Sequence, residues 1–164
     1  MAAFRLIQRR KRAFGQPYDR KRGTVMTLEQ WLAEYDLSHR HPVNIRIHKV
    51  CVPLILFSVL GMLAALPLGP VNAGWLAAAL GLAYYLKLSP RAALVMAAIV
   101  VPMLLIAGQM PHWGAPLLPV CAAIFALAWV GQFVGHKLEG KKPSFFRDVQ
   151  FLLIGPLWTV RGML

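Results

Sequence analysis

The sequence predicts an all-α integral membrane protein: a bundle of four transmembrane helices, preceded by an amphipathic helix and followed by a broken or re-entrant helix. Three observations carry that expectation. Of the 164 residues, 58% are apolar, and the mean hydropathy is +0.55. Only 15% are charged, against roughly 25% in ordinary soluble domains. The apolar residues are gathered into long runs separated by Gly-, Pro- and Lys/Arg-containing segments, a membrane-helix pattern. A chain of this length forms one compact bundle, residues 27–164, with no second domain.

Residues 1–26 form a basic leader without periodicity, read as flexible or lying on the lipid surface. The net charge of +12 is concentrated here: Arg5, Arg9, Arg10, Lys11, Arg12, Arg20, Lys21 and Arg22 stand against Asp19 alone. Lys and Arg neutralise nucleic-acid phosphates, but beside membrane spans such a run is an orientation signal and a contact for anionic membrane lipid. No nucleic acid is expected as a partner. Arg-rich, acid-poor starts also occur in organelle transit peptides. The basic run leads into polar residues, so no secretory signal is expected.

Thr27 opens the first helix, and Gln30 completes a capping box in which each side chain satisfies an orphan backbone donor. Leu28, Trp31, Leu32 and Tyr35 recur at helical spacing, with Glu29, Glu34 and Asp36 elsewhere. Either a lipid interface or the rest of the bundle can take that apolar stripe. Ser38-His39-Arg40-His41-Pro42 breaks the chain, and Pro42 suits the first turn of a new helix. The spans follow at about residues 50–68, 71–86, 92–107, with Pro102 as a kink, and 117–134. The second and third are short against the ~20 residues that a bilayer requires. A last apolar stretch, 149–160, contains Gly155-Pro156 and is too short to cross alone; it is read as broken or re-entrant.

Loop charge sets the orientation. The connections after the first and third spans carry no Lys or Arg. The one after the second has Lys87 and Arg91, and the segment after the fourth has Lys137, Lys141, Lys142 and Arg147. The positive-inside rule then puts both termini in the cytoplasm. A bacterial inner membrane is the expected host, from the Ala, Leu and Arg usage, with the endoplasmic reticulum or another organelle as the alternative. Cys51 and Cys121 start spans that run in opposite directions, so no disulfide is expected.

This topology brings His39, His48 and His136 to one membrane face, and His41 with them, while His112 is alone on the other. Asn44 and His48 share one helix face at i and i+4. Gln132, His136 and Glu139, spaced four and three apart, fall in one narrow stripe at the end of the last span. Gly140 is a C-terminal cap there, and Pro143 prevents continuation. Any transmembrane helix turns polar where it meets water, which would account for Gln132 and Glu139 separately. Three imidazoles converging at one depth are harder to account for that way, because histidine in a membrane tends to be functional. Neutral imidazole suits Fe, Zn, Cu and Ni. The chain has no Gly-rich phosphate loop, no HExxH pattern, no CxxCH haem attachment site and no local serine-nucleophile signature.

Tyr35-x3-His39-x4-Asn44-x3-His48 with Pro53, followed by Trp129-x2-Gln132-Phe-x-Gly135-His136-x2-Glu139-Gly-x-Lys-Pro143, resembles a known family. It is similar to the small multi-span membrane family that includes the fungal 2-hydroxy-fatty-acid dioxygenase of phytosphingosine breakdown. The resemblance covers roughly residues 27–160, and the two blocks together are specific. Cys51 departs from the pattern, standing where a glycine is expected, a difference that bears on helix packing rather than chemistry. The resemblance implies an Fe(II)-dependent α-oxidation in which a 2-hydroxy fatty acid and dioxygen give a fatty acid one carbon shorter. It puts the metal on His39, His48 and His136. Glu139, Gln132, Asn44 and Tyr35 would support the catalytic site, Glu139 as a possible further ligand. Arg40, Arg46, Lys137, Lys141 and Lys142 would draw the substrate carboxylate to the interface.

Two other classes stay open: a haem- or metal-binding membrane protein without oxygenase activity, and a non-enzymatic adaptor that uses the basic leader. No obligate protein partner is inferred.

Overall fold

The structure is a computed structural model that describes residues 26–140 and 150–164. The basic leader, apart from Met26, lies outside the described residues, as do Lys141, Lys142, Pro143 and Arg147. The described helices are α1 (Leu28–Asp36), α2 (Pro42–Ala64), α3 (Ala73–Leu88), α4 (Pro90–Gln109), α5 (Leu117–Glu139) and α6 (Phe151–Thr159). A 3-10 turn, Met110–Trp113, extends α4, and another, Arg161–Met163, follows α6. Among the described residues the one departure from helix and turn is a small antiparallel ribbon, β1 (Pro67–Leu68) with β2 (Val71–Asn72), pairing Pro67 with Asn72 and Leu68 with Val71. Gly69 turns it at φ 72°.

Local chemistry explains the helix starts. At α1, Thr27 N–H donates to Gln30 Oε1 at 2.9 Å and Gln30 N–H to Thr27 Oγ1 at 3.3 Å, the reciprocal box that the sequence predicts. Pro42 opens α2, capped by His41, whose Nδ1 accepts from Val43 N–H at 3.3 Å. Asn72 caps α3 and Ser89 caps α4. Gly140, at φ 69°, closes α5.

Among the described residues, three helical segments are long and apolar enough to cross a membrane: Pro42–Ala64, Pro90–Trp113 and Leu117–Glu139. The expected second span, α3, has 16 residues and reaches only about 24 Å, short of the ~30 Å hydrocarbon core. The expectation of four crossings therefore reduces to three helices of spanning length and one shorter apolar helix. Helix α2 starts at Pro42 and α5 stops at Gly140, as the sequence predicts, so both helices run beyond the apolar spans of about 50–68 and 117–134; α2 ends at Ala64 rather than 68. Hydropathy marks where hydrocarbon begins; the backbone ladder continues beyond it as long as caps and packing satisfy its ends. Helix α4 passes through Pro102 without interruption. Helix α6, with nine residues, is too short to cross.

Polar side chains lie inside beside an apolar core that includes Ile154 and Leu157, and many large apolar side chains face outward. Asn44 and His48 are 0% and 1% exposed, whereas Leu94 and Leu127 are each 73% exposed. Polar groups inside and leucines outside suit a bundle whose solvent is lipid. Helix α2 is the hub, packed against α3, α4, α5 and α6. Its approach to α5 depends on small residues: a Cβ on Gly135 would collide with Asn44 Oδ1, one on Gly131 with Cys51 Sγ, and one on Gly61 with Cys121 Sγ. Cys51 thus fills the space over Gly131, and both cysteines are free, as expected.

Helix α1 packs on the bundle, burying Leu28, Trp31 and Tyr35. Trp31 meets Phe151 of α6 edge-on, with ring centroids 5.2 Å apart. Asp36 accepts from Trp158 Nε1 at 2.7 Å and pairs with Arg161. Tyr85 O–H of α3 donates to Leu153 O at 2.8 Å and ties down the other side of α6.

Gly135→Ala tests the α2–α5 approach. The added methyl must displace Asn44 or part the helices, so a loss of about 1–3 kcal/mol is expected, read as a lowered thermal midpoint. A variant as stable as wild type would show that the approach is slack.

Candidate metal centre

The ends of three segments meet at one end of the bundle. His39 lies just past α1, His48 two turns into α2, and His136 one turn before the end of α5. Their ring centroids are 4.3 Å (His39–His48), 4.8 Å (His48–His136) and 5.2 Å (His39–His136) apart. All three residues are buried. One ligand nitrogen from each lies within 4.8 Å of the others. Metal–imidazole bonds are about 2.0–2.1 Å, so two of them span about 4.2 Å at most; a closure of under an ångström would bring all three onto one ion.

The orientation of two rings is set by backbone. His39 Nδ1 donates to Tyr35 O at 2.8 Å, and His48 Nδ1 donates to Asn44 O at 3.1 Å. A carbonyl only accepts, so the proton sits on Nδ1 in both, and each Nε2 presents a lone pair. This second hydrogen bond is how metal-binding histidines are commonly held. His39 Nε2 is buried and has no hydrogen-bond partner among the described residues, a costly state that a ligand bond would relieve. The donor set fits a first-row transition ion.

Aromatic rings wall the cluster. Tyr35 stacks on His39 at 4.1 Å with planes 4° apart. Trp158 lies 5.1 Å from His39. Burial raises the Tyr35 phenol well above its ordinary range, keeping it a protonated donor.

Burial also lowers His39, against its hydrogen bond to Tyr35 O and the charges of Glu139 and Asp36. It is therefore neutral at pH 7, as a ligand must be. Below the ordinary value of about 6.5, the unfolded chain takes up a proton that folded His39 excludes, so acid removes stability. The thermal midpoint of metal-free protein is expected to fall between about pH 7.5 and pH 5.5, and metal affinity with it. A midpoint that rises over that interval would contradict the assignment.

Glu139 sits at the junction. Its carboxylate accepts from Arg40 N–H at 2.9 and 3.1 Å, from His41 N–H at 2.8 Å and from Asn44 Nδ2 at 3.0 Å. An anion thus caps the start of α2 from the end of α5. It lies outside the metal-ligand group formed by the three histidines.

A cavity of about 390 Å³ leads away from the cluster, between α2, α5 and α6. His48, His136 and Gln132 line its polar end, and Tyr35 also borders it; nearly all the remaining lining is aliphatic or aromatic. Gln132 Nε2 is a buried donor with no hydrogen-bond partner among the described residues. Arg40, Arg46 and Lys137 are exposed at the same end, and none lines the cavity. His41 caps α2, and His112 is exposed in the turn at the opposite end.

The structure brings together Tyr35, His39, Asn44, His48, Gln132, His136 and Glu139. Sequence reasoning missed Trp158 and the α6 side of the cavity: a nine-residue helix has no periodicity long enough to place it, and the Asp36–Trp158 bond spans most of the chain.

No curated protein and no solved structure matches this chain. The family described as "Mpo1-like: 2-hydroxy-palmitic acid dioxygenase Mpo1-like" matches residues 25–164. With nearly the whole chain matched, including all three histidine-bearing segments, this protein belongs to the Mpo1-like family.

Proposed function

We propose that this protein is an Fe(II)-dependent dioxygenase that shortens 2-hydroxy fatty acids by one carbon. The observation that carries this reading is the convergence of three buried imidazoles, two with their lone pairs set by backbone hydrogen bonds, at the polar end of an apolar cavity. The family description supports the substrate class.

Iron held by His39, His48 and His136 would supply Lewis-acid and redox chemistry toward a chelating 2-hydroxy acid and dioxygen. The chain's own residues supply position. Tyr35 and Trp158 fix the His39 ring, Asn44 O fixes His48, and Gln132 Nε2 offers a donor to a substrate oxygen. The buried site excludes water from the reacting carbons. An unsubstituted acid offers only its carboxylate, so selectivity follows from the 2-hydroxyl. The C1–C2 bond breaks, and 2-hydroxy acid plus dioxygen balance as the shorter acid, carbon dioxide and water. The electrons leaving the substrate are those that reduce dioxygen, so no external reductant is required.

Exposed Arg40, Arg46, Lys49 and Lys137 at the histidine end favour the cytoplasmic headgroups, with both termini on that side. Haem ligation would use imidazoles on opposite faces of a macrocycle; three converging rings favour a single ion instead.

Purified protein in lipid, given ferrous iron and 2-hydroxypalmitate under air, is expected to release pentadecanoic acid, and to leave palmitate untouched. Absence of product with iron bound and the helical fold intact would reject this reading.

A further inference from the structure

The cavity has a direction that the catalytic reading does not use. On α2 its lining follows one stripe from His48 through Val52, Ile55 and Leu56 to Val59; on α5 it runs antiparallel from His136 through Gln132 and Trp129 to Phe125. Both stripes start at an imidazole and end eleven residues away. At ~1.5 Å rise per residue each is about 16 Å long, so the two helices bound the same length of cavity. The polar groups stay at one end: beyond Gln132, every cavity-lining residue of these two stripes is apolar apart from the indole of Trp129. Helix α6 closes the side with Phe151, Leu152, Leu153, Gly155 and Pro156.

We infer that this is an acyl channel, and that Val59 and Phe125 form its floor and gauge the chain length of the bound fatty acid. The inference rests on the reading of the histidine end as the site of the 2-hydroxy acid head. An extended chain advances about 1.25 Å per methylene, the axial projection of a C–C bond of ordinary length. About 16 Å of helix rise then holds about a dozen methylenes beyond the hydroxyl-bearing carbon. The cavity volume of about 390 Å³ lies in the range of roughly 300–1,000 Å³ for sites that enclose small organic ligands. Rings set the floor: Phe125 packs edge-on to Trp129, with centroids 6.0 Å apart, so the floor side chain is held rather than free to swing.

Two arms test this. In the first, kcat/KM is measured for 2-hydroxy acids from twelve to twenty carbons. Val59→Phe is expected to lower the value for 2-hydroxypalmitate about tenfold, the usual scale of overpacking, while the twelve-carbon acid stays within about twofold. Phe125→Ala is expected to raise the value for the eighteen- and twenty-carbon acids. Equal changes at every length, or an unchanged profile in both variants, would overturn the inference.

The second arm needs no turnover. Trp129 lies seven residues from His136, about 10 Å along α5, which is about eight methylenes. Fatty acids brominated at successive positions, at low mole fraction in nanodiscs, are expected to quench tryptophan saturably, most strongly with bromine near mid-chain. Trp129→Phe is expected to remove that maximum, and Val59→Phe to weaken binding of the longer acids. Quenching independent of bromine position would overturn the channel. A wild-type protein that shows the positional maximum but makes no shortened acid would sink the oxygenase reading and leave the channel standing.

Discussion

His48→Ala is expected to abolish iron binding and turnover together while leaving a folded helical protein. His48 is 1% exposed, its Nδ1 is anchored on Asn44 O, and its other face meets both partner imidazoles. Loss of an outer partner of a metal ligand costs about 10–100-fold in affinity or activity; loss of the ligand itself should exceed that. Iron per protein after desalting, together with product formation, reads the effect, and Lys49→Ala, at an exposed neighbouring position, serves as control. Far-ultraviolet circular dichroism separates lost ligation from lost fold. A folded His48→Ala protein with wild-type iron content would remove His48 from the ligand set. Wild-type turnover in the same variant would remove the centre itself.

Glu139→Ala is expected to weaken the site without removing a ligand. Its carboxylate joins the segment of His39, the helix of His48 and the helix of His136 through two backbone donors and Asn44. Hydrogen bonds to a charged acceptor contribute about 1.5–3 kcal/mol, with the lower end expected here because the carboxylate is partly exposed. The thermal midpoint should therefore drop. Iron affinity should fall by about 10–100-fold, the scale of a lost outer partner. Glu139→Gln keeps one acceptor oxygen and should retain most of the stability but only part of the affinity, because the amide nitrogen cannot accept from a backbone donor. If Glu139 were a ligand instead, both variants would lose iron to the same extent as His48→Ala. Isothermal titration with ferrous iron under anaerobic conditions distinguishes the two.

Much of the site was legible in the chain because its determinants are local or additive. Charge alternation between loops needs no coordinates, and it put His39, His48 and His136 at one end. The i, i+4 spacing of Asn44 and His48 and the stripe of Gln132, His136 and Glu139 follow from helical period alone. The capping box at Thr27, the Pro42 start and the Gly140 stop are decided by the first and last turns of each helix. The extent of the spans was less legible than the ends of the helices. Residues 42–49 and 135–139 are too polar to register as membrane span, yet they continue the helices: Glu139 and His41 satisfy the donors at the start of α2, and Gly140 closes α5.

What the sequence determined by itself is an apolar helical bundle with its imidazoles at one end, because hydropathy, period and loop charge are properties of each segment alone. How those segments meet is a property of the folded bundle. Gly131 and Gly135 let α2 and α5 approach closely, Glu139 joins their ends, and α6 seats Trp158 against His39. Such relations depend on rotation and depth of one helix against another, and these are set by packing between residues about a hundred positions apart.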